Sequence, residues 1–151
     1  MEILEESQPI KLVSIDPGVK KSAIALWDKE GKLLFADDLP NAQVVRLLRQ
    51  IRTSRLVVET PVLYPTQRAK HKDVKDLAKV ARVFKSFVPK GVGVKPSVWK
   101  GQVPKKIHGN RILLALDKEE LLRVASIGNH NTIDAIGIGL WALGRIKRGG
   151  C

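Results

Sequence analysis

Three acidic side chains stand at positions where an alternating strand and helix sequence can bring reactive groups together. Asp16 closes a β-rich run, Lys11–Asp16 (KLVSID), just before Pro17-Gly18. Glu59 closes a second buried-type run, Leu56-Val57-Val58, just before Thr60-Pro61. Asp134 lies in the first turn of an apolar helix, framed by Ile133 and Ala135-Ile136, with His130 and Asn131 four and three positions earlier and so able to share its face. In an open sheet, strand ends of this kind line the crevice where ligands bind. If the two strands are neighbours, Asp16 and Glu59 converge. Converging carboxylates repel, and keeping them ionised together requires a cation. Mg²⁺ and Mn²⁺ are hard ions that take oxygen ligands. Two of them about 3.5–4 Å apart can clamp the attacking and leaving oxygens of a phosphodiester. Each acid also has a structural reading. Asp16 can start an Asp-Pro-Gly turn, Glu59 can be a solvated strand end, and Asp134 can favour the helix dipole by roughly 0.3–1 kcal/mol. The three in these places together carry more than any one of them.

The charge balance supplies a substrate for such a pocket. The 151-residue chain carries 27 Lys and Arg against 15 acids, a net charge of +12. Between Arg46 and Arg111 there are 17 basic residues and three acids, whereas the remainder of the chain holds 10 and 12. A basic middle between near-neutral ends reads as a surface that tracks phosphates, against the alternative of a solubilising surface. With seven Phe, Trp and Tyr in the whole chain, no basic stretch carries the broad aromatic face of a membrane-surface helix. No apolar run approaches the ~20 residues of a membrane span. The acidic start MEILEESQP is unlike a secretory signal. The single cysteine, Cys151, excludes a disulfide scaffold and a cysteine-ligated zinc site and suits a reducing cytoplasm.

Five strands and several helices must position these groups. Lys11–Asp16, Ser22–Asp28 and Leu33–Asp38 read as an antiparallel meander joined by short turns. Asn41 is expected to cap a helix whose apolar side is Val44, Val45, Leu47, Leu48 and Ile51. Leu56–Glu59 is the fourth strand, Lys70–Val88 a longer amphipathic helix and Val92–Lys95 a fifth strand broken by Pro96. Pro104–Leu116 and Asp117–Ala125 read as shorter helices, and Asn131–Lys147 as a well-buried last helix. The fold class is α/β, a mixed five-stranded sheet of three antiparallel meander strands and then parallel strands, flanked by helices. The expected organisation is an N-terminal extension (1–10), one domain (11–147) and a short tail (148–151).

With Ile15-Asp16-Pro17-Gly18, Val57-Val58-Glu59 and Asp134-Ala135-Ile136-Gly137-Ile138 in this order, the sequence resembles the RuvC family of Holliday junction resolvases, of the ribonuclease H-like superfamily. The likeness runs from about Leu12 to Leu143, and Trp99–Lys105 (WKGQVPK) looks like a segment of phage-type members. It implies a ribonuclease H-like fold and a metal-dependent endodeoxyribonuclease that nicks four-way DNA junctions symmetrically as a homodimer, in a bacterial or phage-infected cytoplasm. It gives Asp16, Glu59 and Asp134 the roles of ligands to Mg²⁺ or Mn²⁺, two ions per site. The family has a fourth ligand, Asp or His, three residues before the last Asp, where this chain has Asn131. His130 is then a candidate ligand or proton carrier, and Asn131 a candidate amide ligand or helix cap. The family also puts a wedge in the loop after the Glu. There Tyr64 either stacks on an unpaired base or packs on the neighbouring helix. Arg68, Lys70, Lys72, Lys95, Lys100, Lys105, Lys106 and Arg111 are the expected phosphate contacts. Trp99 is a core anchor or a base or sugar platform, and His71 and His108 read as plain surface residues or phosphate contacts. Two rival readings keep the fold: a ribonuclease H-like enzyme acting on RNA or RNA/DNA (YqgF-like), and a non-catalytic nucleic-acid-binding domain with a decayed site. A sugar-kinase or actin-type ATPase duplicates this domain and needs phosphate-gripping Gly loops, for which 151 residues are too few.

Overall fold

The structure is a computed structural model that describes residues 9–53, 55–62, 71–89, 91–101, 103–125 and 128–147. Strands β1 (Ile10–Asp16), β2 (Lys21–Asp28) and β3 (Leu33–Pro40) form the expected meander. Helix α1 (Asn41–Gln50) leads to β4 (Leu56–Glu59), and α2 (His71–Lys85) leads to β5 (Val92–Val94). Four helices follow: α3 (Pro96–Trp99), α4 (Lys105–Leu114), α5 (Lys118–Leu122) and α6 (His130–Ala142). The sheet order is β3-β2-β1-β4-β5. β1, β2 and β3 pair antiparallel, while β4 runs parallel to β1 and β5 parallel to β4. This mixed sheet flanked by helices is the ribonuclease H-like architecture expected from the sequence. Among the described residues, no helix is long and apolar enough to cross a membrane.

The pleat sorts the strand residues onto two faces. Val13, Ile15, Ile24, Leu26, Leu56 and Val58 pack with Val44, Leu47 and Leu48 of α1 and Ala81 and Phe84 of α2. Leu12, Ala23, Ala25, Trp27 and Val57 pack on the opposite side with Ile136, Ile138 and Leu140 of α6, Ile112 of α4 and Trp99 of α3. Helix α6 lies close to the sheet because it carries glycines where it meets two large rings. A Cβ on Gly139 would stand 2.2–2.4 Å from Trp27 atoms, and one on Gly137 would stand 2.5 Å from Trp99 Cζ3 and 2.6 Å from Ile112 Cδ1. Buried Ser14 locks helix to strand. Its Oγ donates to Ala135 O (2.7 Å) and accepts from Trp27 Nε1 (3.0 Å).

Several element ends differ from the sequence reading, each for a local reason. Asn41 does not cap α1: Pro40 holds the cap position, and the Asn41 amide donates to Gly18 O and Val19 O instead, while its Oδ1 accepts from Ser22 Oγ. Helix α6 is capped by Asn129, whose side chain accepts from the N–H groups of Asn131 and Thr132, so Asn131 is inside the first turn and does not cap it. The helix stops at Ala142 rather than Lys147. Gly144 takes a left-handed φ of 74°, and the bonds Gly144 N–H to Trp141 O and Arg145 N–H to Leu140 O form a Schellman closure. That turn sends Arg145 to Glu120, which is 0% exposed. The guanidinium makes two bonds of 2.7 Å to its carboxylate and also donates to Gly31 O and Ala115 O. Glu120 further accepts from the N–H groups of Leu33 and Asp117. Burial pushes the Glu120 carboxyl up, but the Arg145 bonds and these N–H groups outweigh it and hold it below its ordinary value.

Candidate active site at the carboxyl edge of the sheet

Parallel pairing of β1 with β4 aligns Ile15 with Val58, so Asp16 and Glu59 follow on adjacent strands at the same edge. Alternation turns both toward α6, the face of Leu12, Ser14 and Val57. Asp134 comes to that face from the first half of α6, one residue before the Ala135 carbonyl that Ser14 grips. The electrostatics register the convergence. Burial, and then repulsion from Glu59 and Asp134, push the Asp16 carboxyl well above its ordinary value, against the pull of Lys100. Glu59 is also pushed up, by burial first and by Asp134. Lys100 and a hydrogen bond from Trp99 oppose the rise.

Short helix α3 and the turn after it provide the partners. Pro96 starts α3 immediately after β5 and its extended Lys95. One turn later Trp99, 0% exposed, donates from Nε1 to Glu59 Oε2 at 2.8 Å. Lys100 Nζ stands 3.5 Å from Asp134 Oδ2 and 5.5 Å from the centre of the Trp99 ring. Trp99 is therefore a core anchor and a site residue at once. Lys100 faces the acids, where it partly offsets their charge.

His108 corrects the sequence reading most sharply. It is not a surface residue: on α4 it is 6% exposed, with its ring centre 5.0 Å from that of Trp99. Its Nε2 is buried without a hydrogen-bond partner and lies 3.9 Å from Asp134 Oδ1. Burial lowers its pKa, with Lys100 and Arg111 adding to the effect and Asp134 opposing it. A shallow pocket meets this point, with Lys100, Lys105, His108, His130 and Asp134 among its walls. The exposed His130 thus reaches the pocket, whereas Asn131 is exposed and is not part of its lining.

A fourth acid was missed in the sequence. Asp38 on β3 pairs with Ala23, and Ala23 pairs with Asp16, so a row Asp38–Ala23–Asp16 crosses the sheet with only a methyl group between the acids. One Asp38 oxygen accepts from Asn129 Nδ2 (3.0 Å), and the other is buried without a partner. Asp38 adds a small upward push on Asp16. The signal available was its placement in phase with Ala36 on the α6 face of a strand.

The carboxylate oxygens are donors of the kind a hard divalent cation takes. As the side chains stand, no group of three His, Cys, Asp or Glu among the described residues is close enough to hold one ion. Of the expected phosphate contacts, Lys72, Lys95, Lys105 and Lys106 are exposed, and Arg111 is half-buried on α4. Tyr64, Arg68 and Lys70 lie outside the described residues, as does the side chain of His71.

Among solved structures, the chain is similar to Thermus thermophilus RuvC in complex with a Holliday junction substrate, at a TM-score of 0.61 and 19% identity over 91% of this chain and 97% of that one. It is also similar to a further Thermus thermophilus RuvC structure, at a TM-score of 0.57 and 18% identity over 90% of this chain and 98% of that one. No family model and no curated protein matches the sequence. The chain therefore has the RuvC-like fold over nearly its whole length.

Proposed function

We propose that this chain is a structure-selective DNA endonuclease that resolves four-way junctions by divalent-metal-dependent phosphodiester hydrolysis, with two symmetric nicks made by a homodimer. What supports this reading is the placing of Asp16 and Glu59 at the ends of adjacent parallel strands, with Asp134 on the helix packed over that face and exposed lysines nearby, on a RuvC-like fold. Asp16, Glu59 and Asp134 are the residues that would hold Mg²⁺ or Mn²⁺. Such ions, when bound, lower the pKa of water and neutralise charge on phosphate oxygens. The protein's own groups prepare the site. Trp99 fixes one Glu59 oxygen. Lys100 offsets the acids in the absence of DNA and is near enough to the pocket to meet a phosphate. Exposed Lys95, Lys105 and Lys106 extend this positive charge outward to track the backbone of a branched duplex. His130 at the pocket wall is available to give a proton to the leaving oxygen.

One observation favours a second reading, a DNA-binding domain without catalysis. The acids are held by Trp99 and Lys100, and no chelating trio stands ready among the described residues. Incubation of the purified protein with a synthetic four-way junction, a matched duplex and an RNA/DNA hybrid, with Mg²⁺ or EDTA, separates these readings. Paired nicks in the junction that need Mg²⁺, and that disappear in Asp16→Asn while junction binding persists, are the expected result. Binding without cleavage in every metal favours the second reading. Cleavage retained by Asp16→Asn overturns the assignment of the acids.

A further inference from the structure

We propose that helices α1 and α2 form a second nucleic-acid surface, on the side of the sheet opposite the acids. Lys72, Lys75, Lys79 and Arg82 of α2, with Arg46 and Arg49 of α1, hold the phosphate backbone of a duplex there. That surface is independent of the nuclease reading, since it lies on a face that the candidate site does not reach.

The fold divides the basic stretch that reads as one surface in the sequence. Lys100 and Lys105 stand with Asp134 on the α6 side. Helices α1 and α2 pack on the other side, against Val13, Ile15, Leu56 and Val58. With the sheet between, a phosphate seated at the acids is out of reach of the outer side chains of α2. The two helices carry seven Lys and Arg against two Asp. Lys72, Lys75, Lys79 and Arg82 follow at spacings of three, four and three, which keeps them within an arc of about 80°. All four are exposed, on the side of α2 away from buried Ala81 and Phe84. Arg46 and Arg49 are exposed likewise. Among the described residues none of the six has a carboxylate within 4 Å, although Asp73 and Asp76 share α2.

Helix stability does not account for this row. Like charges one turn apart are destabilising, and Lys72 lies in the first turn of α2, where the helix dipole disfavours a cation. A polyanion compensates both. The dimensions fit one. From Lys72 to Arg82 the axis rises about 15 Å at about 1.5 Å per residue, the length of about four phosphates of one duplex strand at about 3.4 Å each, and four cations stand along it. Helix α1 lies over β2 and β3 and α2 over β4 and β5, so Arg46 and Arg49 continue the positive surface across the sheet. Other partners fit less well. Among the described residues of these helices, Val83 is the one large apolar side chain that is exposed, and Phe84, their one Phe, Trp or Tyr, is buried. The face thus lacks the aromatic anchor of a membrane-surface helix or of a protein hot spot. A twofold contact between copies would set the row against itself, cation on cation. Contacts to phosphate carry no sequence information, so the binding is indifferent to sequence.

The test is fluorescence anisotropy of a labelled duplex of about 20 base pairs, titrated with salt in EDTA on the full chain. Lys75→Gln/Lys79→Gln/Arg82→Gln is compared with Lys11→Gln/Lys29→Gln/Lys118→Gln, which removes the same charge from exposed positions off these helices. Each phosphate contact contributes about 0.9 to the slope of log K against log salt, so the first variant should lose about 2–3 from the slope and bind about tenfold or more weaker at about 0.1 M salt. The matched variant should keep the wild-type slope, as should Lys75→Arg/Lys79→Arg, which retains the charges. A wild-type slope in the first variant overturns the proposal. An equal loss in the matched variant also overturns it, as an effect of net charge alone. A change of oligomeric state by light scattering overturns it in favour of a contact between copies, and tighter binding to phosphatidylserine vesicles than to the duplex overturns it in favour of a membrane surface. If the triple variant fails to fold, Lys75→Gln and Lys79→Gln singly should each lose about 0.9 from the slope, and an unchanged slope in both overturns the proposal. No turnover is read. Absence of Mg²⁺-dependent cleavage overturns the nuclease reading and leaves this surface standing.

Discussion

The Gly137→Ala substitution tests whether the site is held by packing from behind. The added Cβ would lie 2.5 Å from Trp99 Cζ3 and 2.6 Å from Ile112 Cδ1, against an ordinary carbon contact of about 3.5–4.0 Å. Each neighbour must retreat by about 1 Å, and Trp99 is fully buried. Overpacking of this kind costs about 1–3 kcal/mol. A ring displaced by about 1 Å no longer keeps the 2.8 Å bond to Glu59, and loss of a hydrogen bond to a charged partner adds roughly 1.5–3 kcal/mol. Alanine returns about 1 kcal/mol of helix propensity. The balance is a loss of about 2–5 kcal/mol, or at least about 4 °C in Tm for a chain of this length. Thermal unfolding followed by circular dichroism at 222 nm measures it, with Gly128→Ala as control. A Cβ at Gly128 meets nothing within 4 Å, so its Tm should stay within the equivalent of about 0.5 kcal/mol. Junction cleavage by Gly137→Ala should fall by more than its folded fraction at the assay temperature accounts for, because Glu59 loses its donor. A Gly137→Ala protein as stable as the wild type would refute the reasoning, since helix propensity would then outweigh the fit around Trp99.

Two further outcomes follow from the buried charges. Asp16 has a folded pKa above its ordinary value of 3.8, so its contribution to stability is present below that value and is lost as pH rises through the folded pKa. In EDTA, Asp16→Asn should therefore gain Tm over the wild type as pH rises from about 3.5 to 8, with a plateau once Asp16 is ionised; a difference independent of pH contradicts the burial and repulsion assigned to it. Arg145→Met strands Glu120, which is 0% exposed, and should cost about 3–5 kcal/mol. Denaturant unfolding of Arg145→Met and of Arg145→Met/Glu120→Leu reads this, and recovery in the double variant marks the cost as that of the abandoned carboxylate.

Strand content, and the placing of Asp16 and Glu59 at strand ends, were legible in the sequence because the two runs stop just before Pro17-Gly18 and Thr60-Pro61, and such punctuation acts locally. Parallel pairing after the meander follows from the crossover through α1, whereas the place of β4 beside β1 is set by the assembled sheet. What local pattern could not carry was the inward turn of His108. Lys105, Lys106 and Arg111 make its segment look solvated, and the burial arises from Trp99, nine residues earlier in another helix. Asp38 was hidden similarly, as its meaning depends on the register of β3 against β2 and on the methyl side chain of Ala23 between it and Asp16. The boundaries of α6 failed at both ends for the same kind of reason. Asn129 rather than Asn131 holds the cap, and the left-handed Gly144 closes the helix just after Ala142.

The hydroxyl of Ser14 has a consequence for how this molecule can change over time. It sits two residues before Asp16 and bonds the carbonyl one residue after Asp134, so it acts as a ruler that fixes the rise of α6 along β1. The separation of the two acids is therefore measured from inside the core and not from the loop that enters the helix. Insertions or deletions ahead of Asn129 can therefore accumulate while the spacing of the carboxylates stays constant.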